Sequence, residues 1–525
     1  MYLFRYLIFL RYLILPDMSE PLESVDPQYY CEGLNTRPLP EMGKVLVTGA
    51  TGYIGGRLVP VLRQRGYDVR VMVRRHSREH RERFPGCEIV AADATQAEEV
   101  FWALKDVHTA YYLLHSLQLG QKRFEEADQK LAENFRRAAE ENGVKRIIYL
   151  TGLGHESSKL SAHLESRMMV ARELEKGPVP VTLLRAGMII GSGSASYEIL
   201  HHLVKNSWIF FIPRWARTQS QPIAIRDVIR YLVGVLEIPE TAGRHFDIGG
   251  SDVLTYDEKL RVLARLLGLR RLFLPGLITW TPLYGYIASL LTPVPGPITK
   301  VLIEGCRNEV ICQNDDIREF IPCPNYSFQE ALLKAMTAEE QDRVQTRWSD
   351  AYPPEYDLAT RLDELNYSPH YVSSYLLLTH KPPSALFQAF CQIGGRSGWF
   401  HSNWMWRMRG ALDRMMMGVG MSRGRRSSSS LRVNDVIDFW RVENLREDHL
   451  LLLRAEMKLP GLAWLEFFTE KGEGINRLAV TAFFAPRGWR GHVYWYMFVP
   501  FHYIIFRNLL KQIERRAAIP KDTST

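Results

Sequence analysis

Lys44-Val45-Leu46-Val47-Thr48-Gly49-Ala50-Thr51-Gly52-Tyr53-Ile54-Gly55 is the stretch that decides the fold of the first half of this chain. A β-branched run ends in glycine, two more glycines follow at three-residue spacing, and the helical pattern GGRLVPVLRQRG begins at the third. Gly49 permits a tight turn off the strand, Gly52 lets a pyrophosphate approach the backbone, and Gly55 lets helix and strand pack closely. The helix start then points free N–H groups at the phosphates. A glycine triplet alone is weak evidence. Here a strand precedes it, a helix follows, and a second strand, DVRVMVRR, lies beyond, which is the context of a dinucleotide-binding turn. The sequence thus predicts an NAD(P)(H) site with contacts from Thr48, Gly49, Thr51, Gly52, Tyr53, Ile54 and Gly55.

Outward from this turn, EIVAAD, TAYYLLH, RIIYLTG and VTLLRAGMII read as four further strands separated by helical runs such as FEEADQKLAENFRRAAEENG. Six strands alternating with helices predict an α/β unit, a doubly wound parallel Rossmann-type sheet. NAD-specific sites carry an acidic residue after the second strand to hold the ribose hydroxyls. This chain has Val73-Arg74-Arg75-His76 there. A guanidinium can pair with a 2′-phosphate in bidentate fashion, so Arg74 and Arg75 predict NADP(H) in preference to NAD(H). Asp93 ends the third strand near the adenine edge, and Ala94 and Leu114 complete the expected cofactor contacts.

The runs TGATGYIGGRLV, YYLLHSL, GVKRIIYLTGLG, QPIAIRDV and GRHFDIGG, together with Asp93, resemble the extended and atypical short-chain dehydrogenase/reductase family over about residues 43–310. The similarity is to its NAD-dependent epimerase/dehydratase-like members, in particular the NmrA-like and complex I-associated subgroup. LRAEMKLPGLAWLEF, FFAPRGWRGHVYWY and PFHYIIF resemble a C-terminal domain of unknown function with SRPBCC (START-like) helix-grip character, across about residues 385–517. The resemblance implies a catalytic Tyr-x-x-x-Lys pair with a Ser or Thr at the end of the fifth strand. Thr151 matches the latter, but the pair's place is taken by His163 and Arg167. Imidazole titrates near neutrality and can act as a general acid, and arginine can hold ribose or phosphate. Two readings stay open: a His/Thr/Arg variant of the catalytic group, or a decayed one. The resemblance also places the loop Gly191-Ser192-Gly193-Ser194, which Arg185 precedes, beside the nicotinamide. Asp227 reads as the cap of a helix beginning at Val228.

The length of 525 residues calls for several domains. The expected division is an N-terminal extension over 1–42, a Rossmann unit over 43–325, a helical linker over 326–384 and an α+β helix-grip unit over 385–520. The first fifteen residues, MYLFRYLIFLRYLIL, are too short and too interrupted by Arg5 and Arg11 to span a bilayer. They read as an interfacial helix or as sequence ahead of a true start at Met18. A net charge of +8 spread over this length, without a basic repeat, gives no nucleic-acid signature. Six cysteines without a Cys-x-x-Cys pair predict reduced thiols and no structural metal. Arg423, Arg425 and Arg426, followed by Ser427–Ser430, read as a solvated loop or an anion site. The Pro-rich apolar stretch 272–303 excludes one long membrane helix but suits a pocket wall. The aromatics Trp404, Trp406, Trp440, Trp464, Trp489, Tyr494, Trp495 and Tyr496 make either a core or a lipophilic pocket. Together these features predict a cytoplasmic oxidoreductase or epimerase-like enzyme on a hydrophobic small molecule or lipid, with peripheral contact at the inner membrane. A non-catalytic NADP(H) sensor and a lipophilic-ligand carrier are the alternatives.

Overall fold

The computed structural model describes residues 30–31, 33–76, 78–114, 121–154, 161–340, 346–351, 360–362, 365, 368–395, 398–400, 403–420 and 431–517. The first unit is built on a parallel sheet of β1 (Lys44–Val47), β2 (Val69–Val73), β3 (Glu88–Ala91), β4 (Val107–Tyr112), β5 (Arg146–Gly152), β6 (Val181–Ala186) and β7 (His245–Ile248). Their order, β7-β6-β5-β4-β1-β2-β3, reverses between β1 and β4, which opens a crevice at the carboxyl ends of the strands. In β1, Val45 and Val47 enter the apolar layer on one face and Leu46 the layer on the other. That two-residue period, with both faces apolar, is what a strand covered by helices on both sides requires.

Two details differ from the expectation of six strands. VTLLRAGMII is broken after Ala186, because a Cβ at Gly187 would stand 1.9 Å from the Gln221 carbonyl oxygen, and only Ile189–Ile190 resumes as a short strand. A seventh strand, β7, closes the sheet edge beside β6. Asp227 does not cap its helix. The helix spans Ile225–Glu237 with Ala224 at the N-cap, and the buried Asp227 carboxylate instead accepts from the Tyr326 N–H at 3.0 Å.

Above the crevice sit the helices Ala195–Asn206, Tyr256–Leu266, Thr281–Leu291 and Gly296–Gly305, with the parallel strand pair Ile209–Ile212 and Leu272–Pro275. Pro282 and Pro297 lie in the first turns of their helices, where a missing N–H costs no hydrogen bond. The Pro-rich stretch is therefore a strand and two short helices. Among the described residues no helix is long and apolar enough to cross a membrane.

The second unit is an antiparallel sheet of β8 (Tyr371–Thr379), β9 (Val436–Ile437), β10 (Trp440–Arg446), β11 (Leu450–Ala455), β12 (Gly461–Glu470) and β13 (Asn476–Pro486), in the order β8-β13-β12-β11-β10-β9. β8, which precedes the expected boundary at 385, pairs with β13 from Tyr371↔Phe484 to Thr379↔Asn476. The helix Gly488–Arg516 packs on β8 and β13. Of the singled-out aromatics, Trp406, Trp440, Trp464 and Trp495 are buried in the core, whereas Trp404, Trp489 and Tyr496 are exposed. Trp399, which the pattern did not single out, is wholly buried and donates its Nε1–H to Asp438 at 2.9 Å. Arg441 and Arg454 face each other across β10 and β11. Two buried carboxylates separate them: Glu456 pairs with Arg441 and lies 3.7 Å from Arg454, and Glu443 lies 3.8 Å from Arg454. The serine-rich loop at 427–430 and the N-terminal residues 1–29 lie outside the described residues.

Candidate functional site

The glycine turn leaves β1 at the point where the strand order reverses. Gly49 has φ +61°, and a Cβ there would press to 2.7 Å on the Leu113 carbonyl oxygen. A Cβ at Gly55 would stand 2.4 Å from the Gly49 carbonyl oxygen and 2.8 Å from the Ala50 Cα. Both positions are thus closed by backbone. At Gly52 an added Cβ would meet only the Gly49 oxygen, at 3.2 Å, so its remaining face is open to the cleft. The helix Gly55–Gln64 starts at Ile54 without a side-chain cap, and its first turn is closed by backbone, with the Gly56 N–H on the Gly52 carbonyl and the Arg57 and Leu58 N–H groups on the Ile54 carbonyl, so its attraction for an anion comes from the helix dipole. The turn therefore fits a dinucleotide pyrophosphate.

One cleft of about 1030 Å³ contains this turn. Gly49, Thr51, Gly52, Tyr53, Ile54 and Gly55 line one wall, and Arg74, Arg75, Asp93, Ala94 and Leu114 line it from the ends of β2, β3 and β4. Asp93 Oδ1 accepts the N–H and hydroxyl of Thr95, both at 2.9 Å, which fixes the carboxylate at the strand end. Thr48 is the exception to the expected set. It is wholly buried, donates to the Tyr111 carbonyl at 2.9 Å and accepts the Leu113 N–H at 2.9 Å. It ties β1 to β4 and does not line the cleft.

Further along, Thr151, His163 and Arg167 line the same cleft. Thr151 lies next to the end of β5, and among the described residues its buried hydroxyl has no hydrogen-bond partner. Burying an unsatisfied hydroxyl is costly, so a buried orphan at a cleft wall fits a ligand oxygen. His163 lies in the first turn of the helix Ala162–Glu175 and Arg167 one turn later, so both side chains project from the same face. Past them the cleft widens into an apolar chamber whose wall includes Ile199, Leu203, Phe210, Trp215, Ile287 and Leu302.

The loop 191–194 contributes Ser194 to the cleft lining. Its other residues hold a strap, Thr346–Asp350, which connects the two units. Trp348 N–H donates to Gly193 at 2.8 Å, and Arg57, 2% exposed, donates to the carbonyls of Ser192 at 2.9 Å and Thr346 at 3.0 Å. The Thr346 hydroxyl donates to the Tyr53 carbonyl at 2.9 Å. Arg83 bridges the strap to the glycine turn, reaching Asp350 at 3.3 Å and the Thr51 carbonyl at 3.0 Å. From the second unit Arg441 donates to the Ser349 carbonyl at 2.7 Å. Trp348, Asp350, Arg361, Arg441 and Arg454 thereby join the cleft lining. Sequence reasoning did not find them. The available signal was Arg57, a charged residue set among Leu58, Val61 and Leu62 on an otherwise apolar helix stripe. Arg185, in turn, is bound to Asp247 on β7 at 2.7 Å.

Two parts of the chain match known families: residues 49–204 match the NAD(P)H-binding family, and residues 367–509 match a family described as a protein of unknown function, DUF2867. A 3-beta-hydroxysteroid dehydrogenase of Mycolicibacterium neoaurum is 30% identical over 118 residues, 21% of this chain and 32% of that protein. The photosystem II assembly factor Ycf39 of Trieres chinensis is 21% identical over 229 residues, 43% of this chain and 69% of that protein. Among solved structures, the NADPH-dependent quinone oxidoreductase QOR2 of Escherichia coli, complexed with NADPH, has 17% sequence identity and a TM-score of 0.45, covering 55% of this chain and 98% of its own.

Proposed function

Because the chain joins an NAD(P)-binding, Rossmann-like domain of the epimerase/NmrA type to a DUF2867 domain, we propose that it is an NADP(H)-preferring oxidoreductase acting on a lipophilic carbonyl or alcohol. The observation that carries this reading is the continuity of one cleft from the glycine turn, past Thr151, His163 and Arg167, into the apolar chamber. When bound, the nicotinamide supplies or takes a hydride. The chain's own residues do the rest. The orphaned Thr151 hydroxyl donates to the substrate oxygen, His163 moves the proton, and Arg167 orients ribose or phosphate charge. Replacing His163 by Ala is expected to lower kcat about 100-fold while the NADPH Kd stays unchanged. Turnover unchanged in that variant removes the role.

Arg74 and Arg75 at the cleft support a preference for the 2′-phosphate. Arg74→Ala is expected to weaken NADPH about tenfold, roughly 1.4 kcal/mol, and to leave NADH affinity as it was, by calorimetry. Exposed Trp208, Phe211, Leu277 and Trp280, on the segments flanking the chamber, suit a lipophilic substrate and peripheral contact with a membrane surface. A helix-grip reading of the second unit rests on its antiparallel sheet packed against one long helix.

The second reading, a non-catalytic NADP(H) sensor or scaffold, is favoured by the absent Tyr-x-x-x-Lys pair and by the strap that ties the glycine turn to the second unit. The name of the Ycf39 relative, an assembly factor, agrees with it. Equal affinities for NADPH and NADP⁺ would count against a redox sensor.

A further inference from the structure

A second polar group lies in the wall of the apolar chamber, away from the elements that carry Thr151, His163 and Arg167. Ser220, Tyr256 and Cys306 line the chamber, and Lys259 stands behind them, one helical turn after Tyr256. Lys259 is wholly buried, donates to the Ser220 hydroxyl and lies 4.0 Å from the centre of the Tyr256 ring. Among the described residues no ion pair holds it. The Tyr256 hydroxyl is within hydrogen-bond reach of Ser220 and Cys306, and the Cys306 thiol donates to the Leu302 carbonyl at 3.3 Å. The group adjoins the helix that carries His163. Ser161, its N-cap, donates its N–H to Asn308 at 3.1 Å, and a Cβ on Gly305, next to Cys306, would lie 3.9 Å from the Ser161 hydroxyl.

A buried ammonium without a carboxylate is costly, and nothing in the core packing of an apolar chamber asks for one. The amine, hydroxyl and phenol form a chain of donors whose outer member, Tyr256, faces the cavity. We propose that Ser220, Tyr256 and Lys259 form an oxygen-binding site in the chamber wall, which takes the carbonyl or hydroxyl oxygen of a lipophilic ligand. The proposal rests on the reading of this chamber as the substrate end of the cleft. Tyr256 touches the ligand, and the wholly buried Ser220 and Lys259 act through it as positioning residues.

Burial lowers the Lys259 amine to about 8, with Cys306 and Glu258 opposing the shift. Below that pH the ammonium donates to Ser220, which leaves the Ser220 proton to be passed outward toward Tyr256 and the ligand. The site then offers donors, as a ketone oxygen needs. Above it the neutral amine can accept from Ser220, and the chain reverses.

The test is calorimetric binding of 2-decanone and of progesterone to the full-length protein with NADPH bound. Tyr256→Phe is expected to weaken ketone binding about tenfold with NADPH affinity and Tm unchanged, and Ser220→Ala to weaken it similarly with a lowered Tm, because the buried Lys259 then loses its acceptor. Wild-type ketone affinity should fall as the pH rises through about 8. Lys259→Met should abolish that step. Absence of ketone binding by the wild type, equal affinity in Tyr256→Phe, or a pH step that persists in Lys259→Met overturns the proposal. A wild type that binds ketone in a Tyr256-dependent way yet oxidises no NADPH refutes the oxidoreductase reading alone and leaves this site standing.

Discussion

Gly55→Val should abolish NADP(H) binding, with the Kd rising about 1,000-fold, roughly 4 kcal/mol, in a calorimetric titration. The reason is that its neighbours are backbone. The first added carbon would already stand 2.4 Å from the Gly49 carbonyl oxygen and 2.8 Å from the Ala50 Cα, and neither can rotate away as a side chain could. The helix Gly55–Gln64 must then move off β1. The turn at Gly49–Gly52 then loses the shape that admits a pyrophosphate, and the Arg57 guanidinium is drawn away from Ser192 and Thr346. Gly52→Ala is the informative control. Its Cβ meets only the Gly49 oxygen at 3.2 Å, so the fold should hold while the cofactor loses its approach. A thermal melt separates the two, with Tm lowered by Gly55→Val and nearly unchanged by Gly52→Ala.

Glu456→Gln is expected to destabilise the second unit by about 3–5 kcal/mol, read as a fall in its unfolding midpoint in urea. Glu456 is wholly buried and forms the ion pair with Arg441, while Arg454 lies 3.7 Å away. Glutamine keeps the shape and one acceptor but leaves two arginines facing each other across neighbouring strands with one fewer negative charge between them. Burial already lowers the Arg454 guanidinium and raises the Glu443 carboxyl, so this group of charges has little solvation to fall back on. The double variant Arg441→Met/Glu456→Leu should recover most of the loss, since removing a buried pair is far less costly than orphaning one of its members.

How far the sequence carried these conclusions can be followed residue by residue. The turn at 49–55 was legible because phosphate chemistry and backbone sterics both demand glycine, and β1 because Val45, Leu46 and Val47 are apolar on both faces. β7 was not, since its alternation runs for only four residues, His245-Phe246-Asp247-Ile248, before two glycines. β8 escaped for the opposite reason. Its outward face carries Val372, Leu376 and Leu378, so polarity does not alternate although exposure does. Thr48 looked like a cofactor contact because it precedes the first glycine, but a strand's last hydroxyl can equally satisfy the neighbouring strand's backbone. Tyr256, Lys259 and Ser220 could not be assembled from the sequence at all. They meet only because the strand pair Gln219–Ser220 and Leu254–Thr255 brings residues 220 and 256 together.

The strap at Thr346–Asp350 makes the fusion of the two units hard to undo. Arg57 belongs to the first unit, yet among its acceptors is the Thr346 carbonyl, supplied by the stretch that leads to the second; the Ser349 carbonyl, in return, is fastened by Arg441 of the second. A gene cut between residues 340 and 346 would leave a buried guanidinium short of an acceptor on one product and, on the other, the Thr346 hydroxyl and Trp348 N–H parted from the Tyr53 and Gly193 carbonyls. Recombination that exchanges one unit for a foreign one faces the same toll.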